Sequence, residues 1–422
     1  MNVLHVIQRY PPAIGGAEAW CAGLARAQAA RGDAVTVLTL AVVDEDALWD
    51  DAPRGPEPAA VGPVDLDAGV RVRRCAPSAT PHAVVRAAER LGVRIGGRCS
   101  VELFGRALAA ARSADAVHLH HCNVASSWWG LLAARRARRP VAVTPYFHPG
   151  DPTFEQRAAR WLLRRADAVV VLSAAEADCL AARGIARHRL VVATTGVPPS
   201  AGVPPAVRTR VRAALGLPPD AALVAYLGRK APEKDLPVLV EAAARAARTR
   251  PLALVLVGPA TAWYRRALPD LVASGARVVD VPAVPDAAKR AVLAAADVLV
   301  QPSRRESFGI VFLEAWASGV PVIGAAAGAI ADVVGEDGLL FAPGDPDDLA
   351  RAILALLDDP ARGAAMARRG AERVRRAHGW DRVAAAVARA YAVAGASGGA
   401  VAAAGGPGRR EQPLERREHG VR

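Results

Sequence analysis

Two carboxylates, Glu306 and Glu314, stand with seven residues between them in the run Glu-Ser-Phe-Gly-Ile-Val-Phe-Leu-Glu. The first falls just ahead of an expected helix and the second inside it. Ser307 is placed to cap that helix, which leaves the backbone N–H groups of Gly309, Ile310 and Val311 among the unpaired donors of its first turn. Such a terminus attracts a diphosphate, and glycine at 309 lets a ligand come close to the backbone. The expected phosphate cradle is therefore Ser307-Phe308-Gly309-Ile310-Val311. Glu306, in the loop, would face whatever the diphosphate carries. Glu314, about a turn and a half further in, reaches a second polar group such as a ribose hydroxyl pair. A lone pair of this spacing reads as an amphipathic helix with an acidic first turn. Here a strand pattern precedes it, Val298-Leu-Val-Gln, and another follows, Val320-Pro-Val-Ile, and that context favours a site.

Other chemistry sits at the ends of expected strands. Arg229 and Lys234, in Leu227-Gly-Arg-Lys-Ala-Pro-Glu-Lys-Asp-Leu236, are five apart on a strand-to-helix turn and can both point into a cleft. A cation pair there would neutralise a departing diphosphate. Gly15-Gly16, within Pro11-Pro-Ala-Ile-Gly-Gly-Ala-Glu18, lets the chain turn tightly and presents N–H groups to an anion or acceptor. In Asp115-Ala-Val-His-Leu-His-His121, His118 and His120 share one face of a strand, with His120 at its carboxyl end. His118 reads as a packed core residue. A metal cluster with His121 lacks a nearby Asp, Glu or Cys to complete its shell. Thr144-Pro-Tyr-Phe-His148 ends the next strand, where His148 either shapes an acceptor pocket or caps a loop.

At these residues the chain resembles the retaining glycosyltransferases of family 4, the glycosyl transferases group 1, which have the GT-B fold. The resemblance is strong from Gly228 to Pro343 and looser in the first half. It implies that the E-x7-E segment grips the sugar and ribose of a nucleotide-sugar donor, and that the Gly-Gly loop, with Gly16, closes over the donor phosphates. It also implies that Arg229 and Lys234 of the G-R-x-x-x-x-K pattern neutralise the leaving diphosphate, and that His120, the second His of H-x-H, lines the sugar site. Asp235 departs from the glycine that usually follows the lysine, and Pro282 from a glycine near the base, which leaves the base unassigned. Retention of anomeric configuration follows from the resemblance alone.

The positioning elements are two runs of alternating strand and helix, the α/β pattern of parallel sheets. The first run has expected strands at Asn2–Gln8, Ala34–Leu40, Val70–Arg74, Ala116–His120, Val141–Thr144, Ala168–Leu172 and Leu190–Ala193, with helices Gly16–Arg31, Ala83–Arg112 and Ala174–Arg183. The acidic, Pro- and Gly-containing segment Val43–Asp67 reads as a loop. A Pro-rich hinge, Gly196–Pro205, opens the second run. The expected organisation is an acceptor domain over residues 1–196, a nucleotide-sugar domain over 197–377, a crossover helix over 378–394 and a disordered tail over 395–422.

Bulk properties bound the partners. A chain of 422 residues exceeds one core, so two domains are expected. No uncharged apolar run reaches the ~20 residues that cross a bilayer. The N-terminus enters a strand directly, and five scattered cysteines without a C-x-x-C pair read as reduced thiols; a cytoplasmic protein is expected. The net charge of +13 comes without a nucleic-acid module. Between Ala83 and Arg165, 14 Arg stand against 5 Asp plus Glu, with Arg135, Arg136, Arg138 and Arg139 just after Trp128 and Trp129. This stretch is either a solvated face or a dock for anionic lipid, peripheral to the inner face of the membrane. No D-x-D pair suits a divalent ion beside a diphosphate, so metal-independent transfer with no cofactor is expected. The acceptor class stays open among glycan, lipid-linked and small-molecule acceptors. The rivals are another GT-B enzyme such as an epimerase or phosphorylase, and a non-catalytic nucleotide-sugar clamp. A dehydrogenase is disfavoured because no G-x-G-x-x-G follows the first strand.

Overall fold

The computed structural model describes residues 1–43, 64–78, 96–198, 203–218, 220–273 and 275–404. Two sheets carry the chain. The first orders its strands β3-β4-β2-β1-β5-β6-β7-β8, from β1 (Asn2–Val6), β2 (Ala34–Leu40), β3 (Val64–Asp67), β4 (Val70–Cys75), β5 (Ala116–His120), β6 (Val141–Thr144), β7 (Ala168–Val171) and β8 (Leu190–Val192). The second orders β11-β10-β9-β12-β13-β14, from β9 (Ala222–Leu227), β10 (Leu252–Val257), β11 (Arg277–Val281), β12 (Val298–Gln301), β13 (Val322–Ala325) and β14 (Leu339–Phe341). All pairs are parallel except β3–β4.

In each sheet the strand order reverses at one place. β1 lies between β2 and β5, and β9 between β10 and β12. Loops leaving adjacent strands at such a point part to opposite faces and open a crevice at the carboxyl ends. The loops after β1, β5, β9 and β12 carry the residues singled out from sequence, so topology alone gathers them.

Period-two alternation decides which side chains meet which core. On β1 and β5, Leu4, Val6, Val117 and Leu119 face a core shared with helices Val101–Ala111 and Ala125–Arg136. Val3, His5, Ala116, His118 and His120 face the other way. That face is covered by helix Gly16–Ala30 and by the last helix, Trp380–Ala404, which packs on β6, β7 and β8. The chain therefore leaves the second half to close over the first. Its return is fixed by Trp380, which wedges where any side chain at Gly23 or Gly196 would overlap its ring. His378 joins the same crossing, with its carbonyl accepting from Val197 N at 2.9 Å.

Three expectations change. Val64–Asp67, read as loop, is an antiparallel edge strand hydrogen-bonded to Val70–Arg73. The remainder of that loop, residues 44–63, lies outside the described residues, as do residues 83–95 of the expected long helix. The described part of that helix starts at Val101, where the Ser100 hydroxyl accepts from Leu103 N at 3.1 Å. The crossover helix runs to Ala404, past the expected boundary at 394, because Ala400 and Ala402–Ala404 favour continuation despite the intervening glycines. Residues 405–422 lie outside the described residues. Among the described residues no helix is long and apolar enough to cross a membrane, and all five cysteines are unpaired.

Candidate active site

The crevices of the two sheets face one another across a cleft of about 1110 Å³. A site for one drug-sized ligand occupies ~300–1,000 Å³, so this cleft has room for two substrates.

Its C-terminal wall is built on the helix Ile310–Ala317. Gly309 is the N-cap, with φ +88°, and the Ser307 side chain caps nothing. This corrects the expected cap. A left-handed backbone at 309 favours glycine, and a Cβ there would also lie 2.8 Å from the Phe312 ring. The helix therefore begins later than the Ser signal suggests, and the N–H groups of Ile310 and Val311 head its first turn. Ser307, Phe308, Gly309, Ile310, Val311 and Glu314 all line the cleft. Gly16, on the opposite wall, faces this turn: a side chain there would reach within 3.9 Å of Ile310.

Glu306 and Lys234 meet in this wall. Lys234 Nζ donates to Glu306 Oε1 at 2.5 Å, and Gln301 Nε2 donates to the same oxygen at 2.9 Å. Burial alone would push the Glu306 carboxyl up, but the Lys234 ammonium, Gln301 and more distant His148 outweigh it and hold it below the usual range. The pair is thus a fixed anion beside a fixed cation. Arg229 is held on the same loop by an ion pair with Glu233, and its carbonyl accepts from Tyr226 Oη at 2.7 Å. Asp235 stands at φ +50°, which explains why glycine suits this position and why Asp, tolerant of the left-handed region, can replace it. Arg304 anchors it at 2.6 Å.

Lys289 was not foreseen from sequence. It lines the cleft and donates to Glu314 Oε1 at 2.7 Å, and it also pairs with Asp286 at 3.1 Å. Burial pushes its ammonium down, but Glu314 and Asp286 prevail and hold it above its ordinary value. Only the i, i+3 spacing of Asp286 and Lys289 hinted at it, and that is an ordinary helix-start pattern.

The N-terminal wall carries His121, Asn123, His148 and the buried pair Arg9–Glu18, whose atoms approach to 2.8 Å. His120 is not in this wall. It is fully buried beneath it, with both ring nitrogens engaged by His5 and Tyr146. The ring that faces the cleft is His121, turned outward by φ +71° and packed 4.9 Å from Tyr146. Burial keeps His121 neutral, pushed down to about 3, with His148 and Arg9 adding to the effect. His148 is lowered by burial, while Glu306 across the cleft pulls it up and Lys234 pushes it down. His148 thus faces the charged pair from the other half. Arg305, near Asp151 at 3.6 Å, bridges the two halves at the rim.

His5, His118 and His120 bring ligand-type nitrogens within 4.8 Å of one another, a spacing a metal could use. Their six nitrogens are all hydrogen-bonded within the protein, so an ion would have to displace those bonds.

Residues 15–196 match the model of the glycosyl transferase 4-like domain, and residues 221–359 that of the glycosyl transferases group 1. The chain is similar to the D-inositol 3-phosphate glycosyltransferase of Kineococcus radiotolerans, 32% identical over 89% of this chain and 90% of the relative. The enzyme of that name from Nocardia farcinica is 34% identical over 73% and 74%. Among solved structures, Anabaena HepE in complex with UDP and glucose superposes with a TM-score of 0.72 at 20% identity, over 93% of this chain and 99% of that one. Sucrose-phosphate synthase from Thermosynechococcus elongatus does so at 0.72 and 24% identity, over 94% and 99%.

Proposed function

Since the chain belongs to the glycosyl transferases group 1 family and has the GT-B fold, we propose that the cleft moves a sugar from a nucleoside diphosphate to an acceptor hydroxyl, retaining anomeric configuration and without a metal. The protein is a glycosyltransferase using a nucleotide sugar. The observation that carries the residue roles is the convergence of Lys234, Arg229 and the Ile310 helix terminus on one wall, with Glu306 beside them.

The diphosphate sits at the helix terminus, where backbone N–H groups and the two cations stabilise charge as the bond from the anomeric carbon to phosphate oxygen breaks. Glu306, anionic and held by Lys234, accepts from sugar hydroxyls. Glu314, oriented by Lys289, holds the ribose. A single displacement with retention brings the acceptor oxygen to the face the phosphate leaves. The departing phosphate oxygen then stands within reach of the acceptor's hydroxyl proton. His121 and Asn123 form the acceptor side, and the Gly15–Gly16 loop, with Gly16 facing the Ile310 turn, closes over the donor phosphates from the same wall. His120 supports that side from beneath.

HepE was seen with UDP and glucose, and the inositol-phosphate enzymes act on a small polyol phosphate. These relatives support a UDP-sugar donor and a small polyhydroxylated acceptor. A lipid-linked acceptor is the second reading, favoured by one surface. Trp161 is 45% exposed and stacks on Trp128 at 5.1 Å, with Arg165 over its ring and exposed Arg157, Arg164, Arg136 and Leu132 nearby in sequence on the same two helices. An exposed aromatic among arginines suits the interface of an anionic bilayer. Incubation with UDP-, GDP- and ADP-sugars, alone and with inositol phosphates or lipid-linked sugars, tests both readings through nucleotide release. Release with one donor and one acceptor class identifies them. Binding without release for every combination would make the protein a clamp.

A further inference from the structure

The buried histidines form a directed chain of hydrogen bonds that runs from the crossover helix to the cleft wall. Gln28 Nε2 donates to Tyr391 Oη at 3.1 Å, so its carbonyl oxygen, 2.8 Å from His5 Nε2, must accept from that nitrogen. His5 Nδ1 is then an acceptor, and His120 Nε2 donates to it at 3.0 Å. His120 Nδ1 accepts in turn from the Tyr146 hydroxyl at 2.9 Å. On the other branch the Tyr391 hydroxyl, already accepting from Gln28, donates its proton to His118 Nδ1 at 2.9 Å, and His118 Nε2 donates to Thr144 Oγ1 at 2.8 Å.

Every ring nitrogen is used once, and each imidazole carries its proton on Nε2. No site is left for a second proton. Burial independently disfavours charge on all three rings. The cluster is therefore a neutral relay, and a metal would find no free lone pair in it.

The relay ends at a place that needs holding. Tyr146 stands at φ +50° and His121, packed on it, at φ +71°. A bulky residue in that region costs ~1–3 kcal/mol and persists only where its surroundings over-determine it. Both residues line the acceptor side of the cleft. The Tyr146 hydroxyl also lies 3.4 Å from Ala17 O, just behind the Gly15–Gly16 loop. At the other end, Tyr391 is the only relay member on the helix that returns from the second half.

We propose that Tyr391 is a positioning residue for the transfer reaction, holding Tyr146 and the acceptor-side wall in their working conformation through Gln28, His5 and His120. The proposal rests on the glycosyltransferase reading above. Tyr391 does not line the cleft, and its hydroxyl acts through the relay, so seating of the crossover helix is felt at the cleft.

A double-mutant cycle of Tyr391→Phe and Tyr146→Phe tests it. Each single variant should lower kcat about tenfold while donor KM stays within about twofold, and the double variant should be no worse than either single one. Independent residues would give multiplied losses. Multiplied losses, or a lowered Tm with kcat unchanged in Tyr391→Phe, would overturn the proposal. Should that variant not fold, Gln28→Met, which cuts the chain at its middle, replaces it in the cycle. Nitrogen-15 spectra of histidine-labelled protein give a readout independent of turnover. The wild type should show His5, His118 and His120 as single Nε2–H tautomers, and Tyr391→Phe should shift His5 as well as His118. Mixed tautomers at His5 and His120 in the wild type would refute the relay whether or not any donor is turned over.

Discussion

The Lys234 ammonium and the Glu306 carboxylate lie 2.5 Å apart in the wall of the cleft, both more than four-fifths buried. The cation assigned to the leaving group is therefore also the partner of the carboxylate assigned to the sugar. Neither charge can be removed without changing the other. Removing one partner of a buried pair leaves an uncompensated charge, a cost of ~3–5 kcal/mol in comparable sites.

Replacing Lys234 or Arg229 by Ala should lower kcat/KM by at least ~100-fold, a loss of about 2.7 kcal/mol or more. The two variants should differ in stability. Lys234→Ala strands a buried carboxylate that burial then pushes up, so its stability deficit should shrink as pH falls and Glu306 takes a proton. Arg229, one-third exposed beside Glu233, should show no such dependence. Denaturant titrations at neutral and mildly acid pH measure this. A deficit independent of pH in Lys234→Ala would remove the coupling.

Glu306→Gln and Glu314→Gln should fail differently. Glu306→Gln loses charge beside the reacting sugar, so the loss falls in kcat. Glu314→Gln acts on a hydroxyl pair present equally in ground and transition states, so donor KM rises and kcat is largely spared. Lys289→Ala should resemble Glu314→Gln, and the two together should cost less than their product, because one orients the other. Identical profiles for Glu306→Gln and Glu314→Gln would show the roles are misassigned.

Much of this was legible in the sequence because it depends on local pattern. The strands around Glu306 and Lys234 are short apolar runs ended by glycine or proline, and parallel α/β topology brings their carboxyl ends together. Features set by tertiary contact were not legible. Val64–Asp67 alternates apolar and acidic residues over only four positions and leaves its apolar face, Val64 and Leu66, exposed, so its pairing with Val70–Arg73 is what holds it as a strand. Ser307 has the chemistry of a cap, yet the left-handed turn at Gly309 starts the helix two residues later. His120 occupies the position that period two predicts, but that face meets His5 and Tyr146, and the positive φ of His121 turns a neighbour into the cleft instead. Lys289 reaches Glu314 from a separate helix, a pairing no spacing announces.

Stability should fall as the medium is acidified from about 6.5 towards 4. Burial lowers His5 to about 4 in the folded state, whereas the unfolded imidazole titrates near ~6.5. The unfolded chain binds more protons in that window, so the stabilisation present above 6.5 is lost as pH falls. His118, His120, His121, His148 and His378 act in the same direction. Glu176, pushed up to about 7 by burial, has the opposite sign, but it is one group against six histidines. Melting temperatures at pH 7, 5.5 and 4.5 should decrease in that order; a flat or rising series would contradict the neutral cluster.

If the face around Trp161 docks on anionic lipid, cosedimentation with phosphatidylglycerol vesicles should be strong at low salt and weaken as charges are screened. Trp161→Ser with Arg164→Ser should abolish it without changing activity on a soluble acceptor. Absence of binding at low salt would leave an ordinary solvated face and favour the small-molecule acceptor.

Proton NMR of the transfer product, formed from an α-linked UDP-sugar by wild type and by Lys234→Ala with and without EDTA, tests metal-independent transfer with retention and the role of Lys234 together. An α-anomeric signal should grow in step with UDP in the wild type, be indifferent to EDTA, and be all but absent in Lys234→Ala. A β-linked product, or nucleotide released equally by both proteins, would contradict this mechanism.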